Sequence, residues 1–351
     1  MNSLDDVARQ AGEWLRGVGP MHEIVISTRI RLARNVRGFS FLPRATPDMR
    51  REIAETVKVA TKRARLPEGL IQIDVDQLDE LDRTLLVERH LISRQHAEGT
   101  GARWVVFHPD EASAIMINEE DHLRIQALRS GLQLDTLWQE VNKLDDSLSQ
   151  QLEFAFDRQL GYLTACPTNI GTGIRVSVML HLPGLKLSRE IEKVSRATRD
   201  MNLAVRGLYG EGTEAVGDLY QVSNQTTLGK SEEQILEDFG GNVIPKVVEY
   251  ERSARETLAG KHPVQLDDHI WRAYGLLCNA RCISTAEALS LLSHLRMGIQ
   301  MARFDKIDIK TLNEVFLLIQ PAHLQKLAKR SLNGVARSIA RASCLRDRLT
   351  V

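Results

Sequence analysis

Cysteine is scarce: the 351-residue sequence has four, Cys166, Cys278, Cys282 and Cys344, and no C-x-x-C pair. Cys278 and Cys282 have the i,i+4 spacing of a helix but no histidine partners. That pattern argues against a zinc site and a disulfide framework, and no resident metal is expected. Also missing is any apolar run of the roughly 20 residues that a bilayer span requires. The stretch "MNSLDDVARQAGEWLRG" is acidic and amphipathic, without the apolar core of a signal peptide, so a cytoplasmic location is expected. Net charge is zero, from 46 basic and 46 acidic residues. No global field then draws the chain to nucleic acid or to anionic lipid, and neither is expected as a direct partner. Lysine is sparse too, with 34 arginines against 12 lysines. Genomic or thermal bias accounts for that across a surface as readily as function does. Arginine becomes informative where it sits among glycines or carboxylates.

What is present is ordinary in bulk, 43% hydrophobic and 26% charged, on a length that suits about two domains. Up to about residue 245 helical and extended patterns mix. "TPDMRREIAETVKVATKRARL" reads as a helix capped by Thr46, with Pro47 in its first turn. "ARWVVFHP", "ASAIMIN" and "HLRIQAL" read as an antiparallel meander, and "LQLDTLWQEVNKLDDSLSQQL" as a second long helix. "IRVSVMLHLP" and the two sides of "LAVRGLYGEGTEAVGDLYQVSN" supply further strands, with the helical "LSREIEKVSRATRDM" between them. Strands that return between helices without regular βαβ alternation indicate an α+β fold, an antiparallel sheet flanked by helices. Beyond about residue 255 the pattern is helical only. Capping boxes are expected at Ser284/Glu287 and Thr311/Glu314, with a break at Pro321. The expected division is a catalytic domain over residues 1–250 and an all-α C-terminal domain over 251–351.

Four stretches could carry chemistry. In "ISTRIRLARN" Arg29 and Arg31 are two apart, hence on one face of a strand. Two guanidinium groups there suit a polyphosphate through bidentate bonds, and equally fit a solvated basic edge strand. "INEEDHLR" puts Glu119, Glu120 and Asp121 before Arg124. It reads as a solvated acidic turn or as carboxylates that orient a cation and take its proton. "CPTNIGTGIR" brings Arg175 after two glycines that permit close backbone approach. "RGLYGEGTEAVG" follows Arg206 with four glycines, Glu211 and Glu214, a flexible hairpin or a loop that closes over a substrate. No Walker A motif is present, since "LGKS" lacks the upstream glycine.

Together and in this order, "STRIRLARN", "NEEDHLR", "CPTNIGTGIR" and "RGLYGEGTE" resemble the blocks of the phosphagen (guanidino) kinases over roughly residues 20–240. That family moves a phosphoryl group from MgATP to a guanidinium nitrogen. Its small-molecule members carry a helical domain ahead of the first block, where 26 residues precede Ser27 here. They also lack the C-terminal helical region, and the layout is similar to the family's protein-arginine kinase branch. The resemblance implies a phosphagen-kinase-like catalytic domain. It assigns ATP to Ser27, Thr28, Arg29, Ile30, Arg31, His90, Arg124, Arg175, Val176, Ser177, Val178 and Met179. Arg206, Gly207, Leu208, Tyr209, Gly210 and Glu211 complete that set. His90 would pack on the adenine, and Mg²⁺ would ride on phosphate oxygens and water rather than in a protein cage. Glu120 would be the general base, Glu211 a clamp and second base, and Cys166 a reactive thiol beside the guanidinium, a structural turn cysteine being the alternative. "RSIARA" resembles an R-D-x-x-R-A phosphoarginine-binding motif through Arg337, Arg341 and Ala342, with Ser338 in place of the aspartate. The implied partners are arginine-bearing proteins, a zinc-binding activator, a heat-shock repressor and the Clp protease, and the implied assembly is a homodimer. A free-arginine kinase, or an inactive phosphoarginine-binding adaptor, is the alternative function.

Overall fold

The computed structural model describes residues 4–8, 12–201, 203–207 and 216–350. Ten strands are found among them: β1 Val25–Arg34, β2 Ile71–Asp74, β3 Trp104–Phe107, β4 Ser113–Ile117, β5 Leu123–Ser130, β6 Phe156–Asp157, β7 Gly161–Tyr162, β8 Ile174–His181, β9 Leu203–Gly207 and β10 Leu219–Asn224. Eight form one sheet in the order β2-β3-β4-β5-β1-β8-β10-β9. Every neighbour pair in it is antiparallel. The expected α+β class and the meander of β3, β4 and β5 are both observed. β6 and β7 form a separate hairpin.

Alternation along β1 sorts its side chains. Ile30 and Leu32 point into the main core together with Ile125, Val176 and Val178. Helix Leu134–Ser149 covers that face with Leu137, Val141, Leu144 and Leu148. Each such side chain, fully buried, contributes about 1.5–3 kcal/mol. Helix Pro47–Arg63 adds Ile53, Val57 and Ala60, and its Thr46 hydroxyl accepts from Met49 N–H as the sequence led us to expect. β1 lies between β5 and β8, which rules out the solvated edge strand.

Among the described residues, two apolar clusters cover the ends of the opposite face. At one end Val105, Phe107, Ala114 and Met116 pack with Leu86 and Leu91. At the other, Ile26, Leu128, Met179 and Leu219 pack with the C-terminal helices. Helix Thr285–Gln300 has its Ser284 cap in place, accepting from Glu287 N–H at 3.2 Å. The next helix, Ile309–Leu318, starts earlier than expected. Its cap is Asp308, not Thr311, whose N–H donates to Asp308 Oδ1 at 2.7 Å. Aspartate is the stronger cap, so the helix takes it and places Thr311 inside its first turn. Helix Pro321–Ala328 begins at the expected break, and helix Gly334–Leu349 closes the region. The "LGKS" segment is a helix start, Ser231 and Gln234 forming a reciprocal capping box. Helix Pro263–Asn279 ends before Cys282, so Cys278 and Cys282 do not share a helical face, and all four cysteines are free.

Candidate active site

Strand register collects the arginines. Arg31 is paired with Arg175, Arg29 with Ser177, Ala33 with Arg124, and Gln221 with both Met179 and Arg206. Directly opposed residues point to the same side of a sheet. Arg29, Arg31, Arg124, Arg175 and Arg206, drawn from four strands, therefore share the face opposite the main core. Four of them, all but Arg29, line a cleft of about 550 Å³ together with Glu120 and Cys166.

The positive charge is crowded. Arg29 donates to Gln221 Oε1 at 3.0 Å, and burial plus the nearby Arg124 and Arg175 push its pKa down to about 10. Burial and the same neighbours, Arg29 included, push Arg31 well below its ordinary value. Arg31 Nε is buried without a hydrogen-bond partner among the described residues. Unfavourable burial of cations is what an anion would relieve, and a polyphosphate has the charge and the acceptor oxygens to do so.

The acidic turn faces this row and is anything but a solvated loop. Glu119 has a side chain 1% exposed, and Asp121 is fully buried. Glu119 Oε1 accepts from Ser93 Oγ at 2.5 Å and from Arg124 Nη1 at 2.7 Å, while its Oε2 accepts from Glu120 N–H at 2.7 Å. Glu120 takes the other branch of the same guanidinium, Arg124 Nη2 to Oε2 at 2.9 Å, and opens onto the cleft. Burial raises the Glu120 pKa and the Asp121 and Glu119 charges add to it, against the pull of Arg124. Asp121 Oδ1 accepts from Asn35 Nδ2 at 2.6 Å and from Ala165 N–H at 2.7 Å, which pins the Cys166 turn to the acidic turn. Cys166 Sγ lies 3.1 Å from Thr168 Oγ1 at the cleft wall.

Gly173 makes the approach to Arg175 possible. Its φ is +66°, and a Cβ there would sit 2.7 Å from Ala33 O and from Arg34 Nη1. Buried Arg34 holds the turn, donating to Thr172 O at 3.0 Å and to Asp145 Oδ2 at 2.8 Å, with Tyr162 stacked 3.6 Å away.

His90 stands at the far end of the row. Its ring meets Trp14 edge-on at 4.7 Å, and burial followed by the Arg29 charge pushes its pKa down to about 3, so it is neutral. Beside it an apolar cavity is lined by Met179 and by residues of the C-terminal helices.

The structure does not bring every expected residue to the cleft. Ile30, Val176 and Val178 are in the core behind the sheet, and Thr28 Oγ1 donates to Gly131 O at 2.6 Å. Ser27 and Ser177 are buried on the arginine face, and Gly207 ends β9. Leu208, Tyr209, Gly210 and Glu211 lie outside the described residues. Arg337, Ser338, Arg341 and Ala342 sit on helix Gly334–Leu349, where Arg341 donates to the carbonyls of Ile319 and Ile283. Sequence reasoning missed Gln221, Ser93 and Asn35, which hold Arg29, Glu119 and Asp121. Only Asn35, at the end of "STRIRLARN", carried any sequence signal.

Comparison with known proteins agrees with this geometry. Residues 52–254 match the model of the ATP:guanido phosphotransferase C-terminal catalytic domain, and residues 263–351 that of the protein-arginine kinase McsB C-terminal domain. A protein-arginine kinase of Symbiobacterium thermophilum is 45% identical, the match covering 98% of each chain. One from Halothermothrix orenii is 43% identical over 100% of each. The chain belongs to the protein-arginine kinase family. Solved structures similar to this family member include lombricine kinase, at TM-score 0.60 and 26% identity over 74% of this chain and 73% of that one. The duplicated taurocyamine kinase of Schistosoma mansoni with transition-state-analogue components also has TM-score 0.60, at 25% identity over 71% of this chain and 35% of that one. A phosphagen-kinase fold, carrying a second matched helical region, is thus the architecture of this protein-arginine kinase.

Proposed function

We propose that the cleft holds the phosphates of MgATP on Arg29, Arg31, Arg124, Arg175 and Arg206, and presents the γ-phosphoryl to an arginine side chain of a protein. The observation that carries this reading is the register that puts all five arginines on one sheet face, four of them lining the cleft together with Glu120. Phosphoryl transfer passes through a loose transition state with charge on the equatorial oxygens, so fixed cations supply most of the catalysis. Bound Mg²⁺ would add charge neutralisation on the phosphate oxygens.

The acceptor poses the harder problem. A guanidinium with pKa of about 12.5 costs roughly 7 kcal/mol to deprotonate at pH 7. Glu120 would take that proton as the N–P bond forms and the bond to the leaving ADP oxygen breaks. Its present partner, Arg124, supports this reading. When phosphate draws Arg124 away, the carboxylate is released toward the cleft, where the substrate guanidinium can replace one cation with another. Glu211 would clamp the acceptor, and Cys166 would border it.

The finer reading follows the family resemblance. It comprises a catalytic unit over 1–250 and a helical unit over 251–351, a cytoplasmic homodimer, a zinc-binding activator, a heat-shock repressor and Clp-dependent fates for the marked proteins. The RSIARA helix would be its phosphoarginine site, altered at Ser338. Mass spectrometry for acid-labile phosphoarginine on a mixed protein substrate, run beside free arginine, tests the function. Phosphorylated protein and little phosphorylated free arginine is the expected result. Turnover of free arginine alone would overturn it in favour of a metabolite kinase.

A further inference from the structure

Helix Thr285–Gln300 carries two polar side chains, Ser293 and Arg296, that are fully buried. A buried hydroxyl and a buried cation need partners, and these find theirs at the ends of three strands. Arg296 donates through Nη1 to Glu23 O at 2.9 Å and through Nη2 to His22 O at 2.8 Å, just ahead of β1. The same Nη1 donates to Nδ1 of His181, the last residue of β8, at 3.0 Å. His181 Nε2 lies 2.9 Å from Ser293 Oγ, which donates to Asp218 Oδ2 at 2.5 Å. Asp218 immediately precedes β10.

Asp218 is held at both carboxylate oxygens and at its main chain. Lys186 Nζ donates to its Oδ1 at 2.6 Å, and its carbonyl accepts from Leu182 N–H at 2.9 Å. Its φ is +55°, following Gly217 at +68°. Such a left-handed pair persists where surrounding contacts hold it. The helix backs onto this turn, since a Cβ on Gly217 would sit 3.0 Å from Leu289 O. Three and five residues further along are Gln221 and Ser223. Gln221 Oε1 accepts from Arg29 Nη2 at 3.0 Å, and Ser223 Oγ accepts from Arg175 Nη2 at 3.2 Å.

We propose that Ser293 and Asp218 are positioning residues for the phosphate site. Through them helix Thr285–Gln300 fixes the start of β10, and β10 fixes Arg29 and Arg175 through Gln221 and Ser223. The inference rests on the reading of the arginine row as the phosphate site. β10 is hydrogen-bonded to β8 on one side and β9 on the other, so a displacement at its first residue is carried along the strand. At about 3.3 Å per residue, Gln221 is only roughly 10 Å from Asp218. A guanidinium misplaced by about 1 Å loses its bidentate geometry on a phosphate. Phosphate affinity and the seating of this helix are then linked, each strengthening the other.

The test is equilibrium binding of magnesium tripolyphosphate to the full chain, with melting temperatures, as wild type, Ser293→Ala, Met297→Ala and Arg175→Ala. Met297 is buried on the same helix but packs on Leu266 and Ile270, so it controls for plain loosening of that helix. Ser293→Ala is expected to weaken tripolyphosphate about tenfold. Met297→Ala is expected to lower the melting temperature at least as much and to bind like wild type. Wild-type affinity in Ser293→Ala, or an equal loss in both variants, overturns the positioning role while the phosphate site stands. Unchanged binding by Arg175→Ala overturns the phosphate site itself. Where Ser293→Ala does not fold, hydrogen exchange of the wild type decides. Tripolyphosphate should raise protection in helix Thr285–Gln300 more than in helix Gly334–Leu349, and no rise, or an equal one in both, refutes the link.

Discussion

Glu119 and Glu120 are adjacent in the chain and are used differently. Glu119 is buried and fully engaged by Ser93, Arg124 and the Glu120 N–H. It is a positioning residue that sets both the acid and the cation beside it. Among the described residues Glu120 has one hydrogen-bonding partner, Arg124, and it has access to the cleft, as a base requires. Glu120→Gln should therefore retain ATP binding and lose about 10²–10⁴ in kcat. Steady-state kinetics on a protein substrate measures this, and a rate near wild type removes Glu120 from the chemistry. A base works deprotonated, and burial raises the Glu120 pKa. The acid limb of the rate should accordingly lie at higher pH than for an exposed glutamate. Glu119→Gln removes a neighbouring negative charge and leaves Arg124 to Glu120 alone. Both changes lower the Glu120 pKa, so the acid limb of kcat/KM should move to lower pH. A limb that stays in place, or moves up, means that Glu119 does not tune Glu120.

Strands carry most of what the sequence made legible. Alternation in β3, β4 and β5 and the two-residue spacing of Arg29 and Arg31 are local properties, and they read correctly. The acidic turn was legible as a cluster, but its burial was not, because Ser93, Asn35 and Ala165 reach it from distant segments. Helix Ile309–Leu318 shows the limit at its start, where a residue outside the periodic run, Asp308, took the cap. Gly173 was legible as a turn glycine, and the structure adds the reason it cannot carry a side chain. In Gly173→Ala the new Cβ meets the Ala33 carbonyl and the strained backbone costs about 1–3 kcal/mol. The β1–β8 pairing that aligns Arg31 with Arg175 is the element that must give. A lower melting temperature together with weakened tripolyphosphate binding is expected. Loss of stability with phosphate binding intact would show that the turn does not position Arg175.

For the whole molecule, the seam between sheet and C-terminal helices is built around neutral histidines. His181 Nδ1 accepts from Arg296 Nη1 at 3.0 Å, and its Nε2–H faces Ser293 Oγ at 2.9 Å, itself a donor to Asp218. His323 Nδ1–H donates to Glu88 at 2.7 Å, and its Nε2 accepts from Arg89 at 3.2 Å. Away from the seam, His122 Nδ1 accepts from Val36 N–H at 3.0 Å while Nε2–H donates to Ser40 O at 3.1 Å. In each ring one nitrogen must remain an acceptor, and burial lowers all three pKa values: His122 to about 4, His181 well below its ordinary value. The sign follows from linkage. These groups bind protons more readily unfolded than folded, so their contribution is intact above about pH 6.5 and is lost as pH falls below it. For His122 the loss between pH 7 and pH 5 is on the order of 2 kcal/mol, and His181 and His323 act in the same direction. Because two of the three sit on the seam, acid should loosen the C-terminal helices before the sheet core. Hydrogen exchange at pH 7 and pH 5 should show helices Thr285–Gln300 and Pro321–Ala328 losing protection first, with a falling melting temperature. A melting temperature flat across that range, or exchange that opens the sheet core first, would contradict the assignment of neutral histidines as the seam's acid-labile contacts.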